Sequence, residues 1–152
     1  MSQTTIALRK LGKYGPEIPA LGFGLMGLSY SVYGSIPTEE EQFRILDRAW
    51  ELGARNWDTS EYVFSFRHTE NFGEKYVDPH SLYGDSEALL NKWFKRTGKR
   101  NDIFLASKFG FIKGSPSYDI DSSGEYCKKA CEESLRLLGI ESIDLCRLLP
   151  LN

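Results

Sequence analysis

No apolar stretch in this 152-residue chain comes near the roughly 18–20 residues that a bilayer crossing needs, so no membrane-spanning helix is expected. The opening Met1-Ser2-Gln3-Thr4-Thr5 has neither the charged start nor the apolar run of a secretory signal, and a cytoplasmic location is expected. An excess of one charge is missing too. The 19 Lys and Arg residues are interspersed with 21 Asp and Glu, giving a net charge of -2 without a basic block. That argues against nucleic acid and against an anionic membrane surface as partners. Cysteine is scarce: Cys127, Cys131 and Cys146 form an odd set without metal-ligand spacing, and the expectation is buried small apolar residues with no metal site. Histidine is scarcer still, with only His68 and His80. The remainder, 41% hydrophobic and 26% charged, is the composition of one soluble globular domain with a real core.

What is present is a regular alternation of periodicities. Leu8 to Gly15 and Glu17 to Ala20 read as a short hairpin, with Lys13-Tyr14-Gly15-Pro16 supplying the turn. Leu21-Gly22-Phe23-Gly24 reads as a strand that ends in a glycine-rich loop. Thr38 and Glu41 form a capping box after Pro37, opening a helix whose apolar face is Phe43, Leu46, Ala49 and Trp50 and which stops at Gly53. Arg55 to Thr59 makes a second strand. Ser86 to Thr97 makes the next helix, with Leu89, Leu90, Trp93 and Phe94 facing inward and Gly98 as its stop. Ile103 to Lys108 is a third, nearly continuously apolar strand; Ser123 to Leu138 is a third helix closed by Gly139; Ser142 to Leu149 is a fourth strand.

After the hairpin the order is βαβαβαβ, which predicts an α/β fold with a parallel sheet wrapped by helices, either doubly wound or curled into a (β/α) barrel. In a barrel the working residues come from the C-terminal ends of the strands. Asp58 and Lys108 fall at two such ends, and Tyr83 belongs to the loop after the second strand. Gly22-Phe23-Gly24-Leu25-Met26-Gly27 matches a dinucleotide-binding fingerprint by letter. That fingerprint needs a helix starting inside it, and the spacing places the helix start near Thr38, so the glycines are read as a strand end that lets a ligand approach the backbone.

The segments "ALGFGLMGLS", "NWDTS", "LYGDSEALLNKWFKRTGKRNDIFLASKFG" and "ESLRLLGIESIDL" resemble, in order, successive segments of the aldo-keto reductases. The resemblance covers nearly the whole chain up to Leu145 and implies the N-terminal part of a (β/α)8 TIM barrel opened by a hairpin. It implies NADP(H) as cofactor, a small-molecule aldehyde or ketone as substrate, and its reduction to an alcohol. Asp58 resembles the family's carboxylate, Tyr83 its proton donor, and Lys108 the cation that lowers the tyrosine pKa. Gly24, Leu25 and Met26, with Asp58, resemble the surroundings of the nicotinamide.

Two departures qualify that implication. Ser142-Ile143-Asp144-Leu145-Cys146-Arg147-Leu148-Leu149 is similar to the family phrase that ends in a catalytic histidine, but Leu149 stands at the histidine position. The chain reaches Asn152 with four of the eight strands a barrel needs, so weakened cofactor affinity, impaired or absent activity and self-association through uncovered barrel edges are expected. A non-catalytic half-barrel that interacts with itself or a relative is the alternative expectation.

The second departure is an interruption. The family places its tyrosine a few residues after the aspartate, whereas Tyr83 follows Asp58 by 25 positions. Removing residues 62–81 leaves "WDTSE" joined to "LYGDSE", close to the family phrase, and the removed segment has neither helical nor strand periodicity. Glu61-Tyr62-Val63 can be encoded with GTACGT, a splice-donor sequence, and His80-Ser81 with a closing AG. In-frame excision between them yields "WDTSDLYGDSE". Residues 62–81 are therefore read as an atypical insertion of retained-intron character, in a chain whose residues 1–152 form the N-terminal part of the barrel. Genomic DNA is expected to carry those donor and acceptor dinucleotides at these codons; their absence would remove the reading.

Overall fold

The computed structural model describes residues 6–29, 34–60, 85–112 and 119–148. Strands β1 (Leu8–Lys10) and β2 (Glu17–Pro19) pair antiparallel as a separate hairpin, with Leu8 opposite Pro19 and Lys10 opposite Glu17. Gly15 is obligatory in its turn, because a Cβ there would lie 1.9 Å from the Leu11 carbonyl oxygen. Next come β3 (Gly22–Gly24), a single helical turn α1 (Met26–Ser29), α2 (Glu39–Glu51) and β4 (Asn56–Asp58). They are followed by α3 (Ser86–Thr97), β5 (Phe104–Phe109), α4 (Gly124–Leu138) and β6 (Leu145–Leu148).

The four strands β3-β4-β5-β6 lie side by side in chain order, and every pairing is parallel. A doubly wound nucleotide-binding sheet reverses its strand order at a switch point. The unreversed order is that of a barrel wall, so of the two arrangements the residue pattern left open the sheet is the partial (β/α)8 barrel that the family resemblance implied. One expectation needs correcting. A helical turn does begin inside the glycine-rich segment, at Met26, because the Leu28 amide bonds the Leu25 carbonyl at 3.0 Å. That turn is four residues long, and the long helix starts at Glu39 as the capping argument places it.

Local chemistry explains most boundaries. Thr38 accepts from the Glu41 amide while Glu41 accepts from the Thr38 amide at 2.8 Å, the reciprocal pair that opens α2. Ser123 caps α4 by accepting from the Tyr126 amide at 3.1 Å. Gly98 and Gly139 close α3 and α4 in the left-handed region, and the Asn91 side chain packs where a Cβ on Gly139 would lie. Strand β6 starts later than the expected Ser142 because Asp144 diverts the backbone. Its carboxylate accepts from the Leu105 amide and from Arg100, both at 2.8 Å, while its own amide bonds the Leu105 carbonyl. The expected final strand residue, Leu149, lies outside the described residues.

The core sits between the sheet and its helices. Trp57 of β4 and Trp93 of α3 are fully buried with ring centroids 4.9 Å apart, flanked by Phe94, Leu90, Leu46, Leu105 and Leu138. All four apolar residues predicted for α3 are buried. On α2, Leu46 and Ala49 are buried, while Phe43 and Trp50 are half-buried and roofed by cations, Arg96 over Phe43 and Lys99 over Trp50. Gln42, not expected inside, is buried because its amide donates to the Leu28 carbonyl at 2.6 Å and so satisfies the α1 turn. The cysteine expectation fails at Cys146, which is exposed because β6 stands at the sheet edge; Cys127 and Cys131 are half-buried. Among the described residues no helix is long and apolar enough to cross a membrane.

Asp47 ties α2 to α3. Its carboxylate accepts from the Trp93 indole at 2.9 Å and from the Arg96 guanidinium at 2.7 Å. Partial burial pushes its pKa up, but hydrogen bonds from Arg96 and Trp93 and the charges of Arg96 and Lys99 together hold it below the ordinary value of 3.8. A depressed carboxylate stabilises the fold above its unfolded-state pKa, and that contribution is lost as pH falls through the lower folded-state value. Asp47→Ala leaves the buried indole N–H without its acceptor and is expected to lower unfolding stability by about 1–3 kcal/mol at neutral pH. Urea melts of both proteins should show the difference shrinking in strong acid.

Candidate active site

Strand alternation decides which side chains share a face. Trp57 packs on α3, so its neighbour Asp58 projects from the opposite face, the interior of the barrel wall. On β5, Ser107 donates to Glu87 of α3 at 2.9 Å, which places Ser107 on the helix side and Lys108 on the interior side. Lys108 pairs in register with Arg147 of β6, so Arg147 shares that face. Three charged residues thus converge at the C-terminal ends of β4, β5 and β6 without any long-range search by flexible loops.

Their geometry is that of one shared carboxylate. Lys108 Nζ donates to Asp58 Oδ2 at 3.0 Å and to the Thr59 carbonyl at 3.1 Å. Arg147 Nη2 donates to Asp58 Oδ1 at 2.5 Å. The Lys108 side chain is only 12% exposed, against 36% for Asp58 and 46% for Arg147. A lysine so enclosed needs a compensating anion and acceptors, and Asp58 with the Thr59 carbonyl supplies them. An ammonium held this way is a fixed positive charge, able to favour the ionised form of a phenol or enolate brought beside it.

Buried polar groups brace the strand ends. Ser60 donates to the Lys108 carbonyl at 3.0 Å, the Thr59 amide bonds the Ala106 carbonyl at 2.9 Å, and the Thr59 and Ser86 hydroxyls meet at 2.8 Å. Thr59, Ser60, Ser86, Glu87 and Ser107 are all buried. The glycine-rich strand end is joined to the same place: Gly24 is paired with Asp58, and the Leu25 amide bonds the Asp58 carbonyl at 3.0 Å. Among the described residues, a Cβ added to Gly24 would meet nothing within 4 Å. Leu25, however, is 1% exposed, so its side chain belongs to the core, while Met26 is half-buried.

Of the residues singled out by sequence, Asp58 and Lys108 are in contact, Gly24 and Leu25 are joined to Asp58 through the backbone, and Met26 follows Leu25 in the α1 turn. Tyr83 and the 62–81 segment lie outside the described residues. Arg147 was not anticipated. Its signal is available only through the parallel register, which shows that it falls beside Lys108 rather than on the helix side.

A model of the Aldo/keto reductase family matches residues 20–148. The chain is 37% identical over 145 residues to the aldo-keto reductase str7 of Strobilurus tenacellus, covering 90% of this chain and 34% of that protein. It is 36% identical over 143 residues to the NADP(+)-designated aldo-keto reductase yakc of Schizosaccharomyces pombe, covering 93% of this chain and 36% of that one. Its fold is similar, with a TM-score of 0.69 and 31% identity, to the holo form of the aldo-keto reductase AKR11C1 from Bacillus halodurans, covering 94% of this chain and 40% of that chain. The chain therefore spans about a third of the length of the curated relatives it matches. The parallel wall, the Asp58–Lys108 pair at its strand ends and the extent of the match lead to one conclusion: this chain belongs to the aldo/keto reductase family.

Proposed function

We propose that these residues carry the proton-transfer part of an NADP-linked carbonyl reduction, in which an aldehyde or ketone becomes an alcohol. The observation that supports this most is the enclosed Lys108, held at 3.0 Å by Asp58. In this reading Tyr83 gives its phenolic proton to the carbonyl oxygen, Lys108 makes the resulting phenolate less costly, and Asp58 keeps Lys108 charged and oriented. NADPH, when bound, supplies the hydride to the carbonyl carbon. Tyr83 then regains a proton from solvent, and the alcohol leaves with one hydride and one proton added.

The residues present fit such a cofactor at one end. Among the described residues nothing crowds Gly24, which is paired with Asp58, and its exposed backbone permits close approach by a flat ring. Met26 can border that space, and Leu25 would contribute backbone with its side chain in the core. Leu149 at the histidine position removes a hydrogen-bond donor that would orient the carbonyl, so reduction by these 152 residues alone is proposed to be impaired. Residues 62–81 separate Tyr83 from Asp58, and we propose that they are inserted sequence foreign to the catalytic phrase.

Two measurements test this function. Ultraviolet difference titration of the wild-type chain against Tyr83→Phe isolates one phenol, which is expected to ionise at lower pH in wild type than in Lys108→Met. Identical titrations would contradict the role given to Lys108. Purified monodisperse chain is expected to show no steady NADPH-dependent reduction of an aromatic aldehyde; steady turnover would overturn the impairment.

A further inference from the structure

Glu87 has no part in the proton transfer proposed above, yet it is buried, with 3% of the residue exposed. A carboxylate in the first turn of a helix is favoured by the helix N-terminus, but that benefit is available at the surface, where Glu39, Glu40 and Glu41 of α2 take it. Burial adds a desolvation cost that hydrogen bonds must offset. Ser107 of β5 supplies one, donating to Glu87 Oε1 at 2.9 Å. Ser86, the residue before Glu87, makes the matching contact with the end of β4, where its hydroxyl meets that of Thr59 at 2.8 Å. Two consecutive residues of α3 therefore grip two neighbouring strands, each one position away from a member of the ion pair: Thr59 follows Asp58, and Ser107 precedes Lys108. All four gripping residues are buried, so water does not compete for these bonds.

The grip reaches the ammonium along two routes. Side chains alternate along a strand, so a bond that holds Ser107 toward α3 also holds the backbone orientation that aims Lys108 at the other face. Ser60 fixes the same strand end by donating to the Lys108 carbonyl at 3.0 Å. The second route runs through Thr59. Its hydroxyl is tied to Ser86, and its carbonyl accepts from Lys108 Nζ at 3.1 Å. A displaced first turn of α3 would thus move an acceptor of Lys108 and, at the same time, the pleat that presents Lys108 to Asp58.

We propose that Ser86 and Glu87 are positioning residues: through Thr59 and Ser107 they set the ends of β4 and β5 so that the Lys108 ammonium stays on Asp58. Their value for catalysis rests on the carbonyl-reduction reading above. Their hold on Lys108 does not.

NMR of the full 152-residue chain carrying isotope-labelled lysine Cε tests this, with the Lys108 signal assigned by its loss in Lys108→Met. Asp58→Asn is expected to move that signal, and the size of the movement reports how closely the ammonium is held on Asp58. The movement is expected to shrink at least about twofold in Ser107→Ala, which keeps the charges but removes the hydroxyl. It is expected to persist in Glu87→Gln, which keeps an oxygen able to accept from Ser107. A purely structural role would lower the unfolding stability of Ser107→Ala and leave the movement unchanged; that result would overturn the proposal, as would equal shrinkage in Glu87→Gln or no movement at all. In the unaltered chain the Ser107 hydroxyl is expected to exchange slowly, splitting its Cβ signal in an equal mixture of light and heavy water. A single line there would overturn the proposal even if Ser107→Ala does not fold. Should the expected results hold while the Tyr83 titration is indifferent to Lys108→Met, the positioning of Lys108 stands and the carbonyl-reduction reading alone is overturned.

Discussion

The carboxylate of Asp58, divided between Lys108 on one neighbour strand and Arg147 on the next, is the interaction on which the arrangement of the site depends. It spans three strands, so it exists only if both parallel registers are correct. A slip of one residue in β4 would turn Asp58 toward α3 and Trp57 toward the barrel interior. The slip is opposed by the full burial of Trp57 against Trp93 and by the Trp57 indole, which donates to the Ala54 carbonyl at 2.6 Å. Packing on the helix side thus fixes charge placement on the other side.

The same division of labour runs through the strand ends. Apolar residues and small hydroxyls face the helices, where Leu105 packs and Ser107 reaches Glu87; charged residues face inward. Enclosing Lys108 would be strongly unfavourable alone, and it is tolerated because Asp58 and the Thr59 carbonyl stand within hydrogen-bonding distance. The ion pair is costly to break from either side, which suits the fixed-charge role proposed for Lys108.

Much of this was legible in the sequence where one local cause dominates. The Thr38–Glu41 box, the Leu89, Leu90, Trp93, Phe94 face and the glycine closures of α3 and α4 follow from short-range chemistry, and the structure has them as expected. The family phrase around Asp58 and Lys108 marked the strand ends, and the two residues are in contact. Features set by distant partners were not legible. The late start of β6 depends on Asp144 reaching Leu105 and Arg100, the burial of Gln42 on the Leu28 carbonyl, and the α1 turn on a bond between Leu28 and Leu25 inside a glycine-rich phrase. Arg147 belongs with these: which face it takes is a property of the β5–β6 register, and no local pattern around Cys146-Arg147 reveals it.

The central claim, that Asp58 and Lys108 form one energetically coupled unit at the ends of a barrel wall, is tested most directly by a double-mutant cycle in equilibrium unfolding. Asp58→Asn, Lys108→Met and the double variant are compared with wild type at neutral pH. The account predicts a coupling energy of about 1 kcal/mol or more, as for residues in direct contact. Additive effects, with a coupling below about 0.3 kcal/mol, would contradict it.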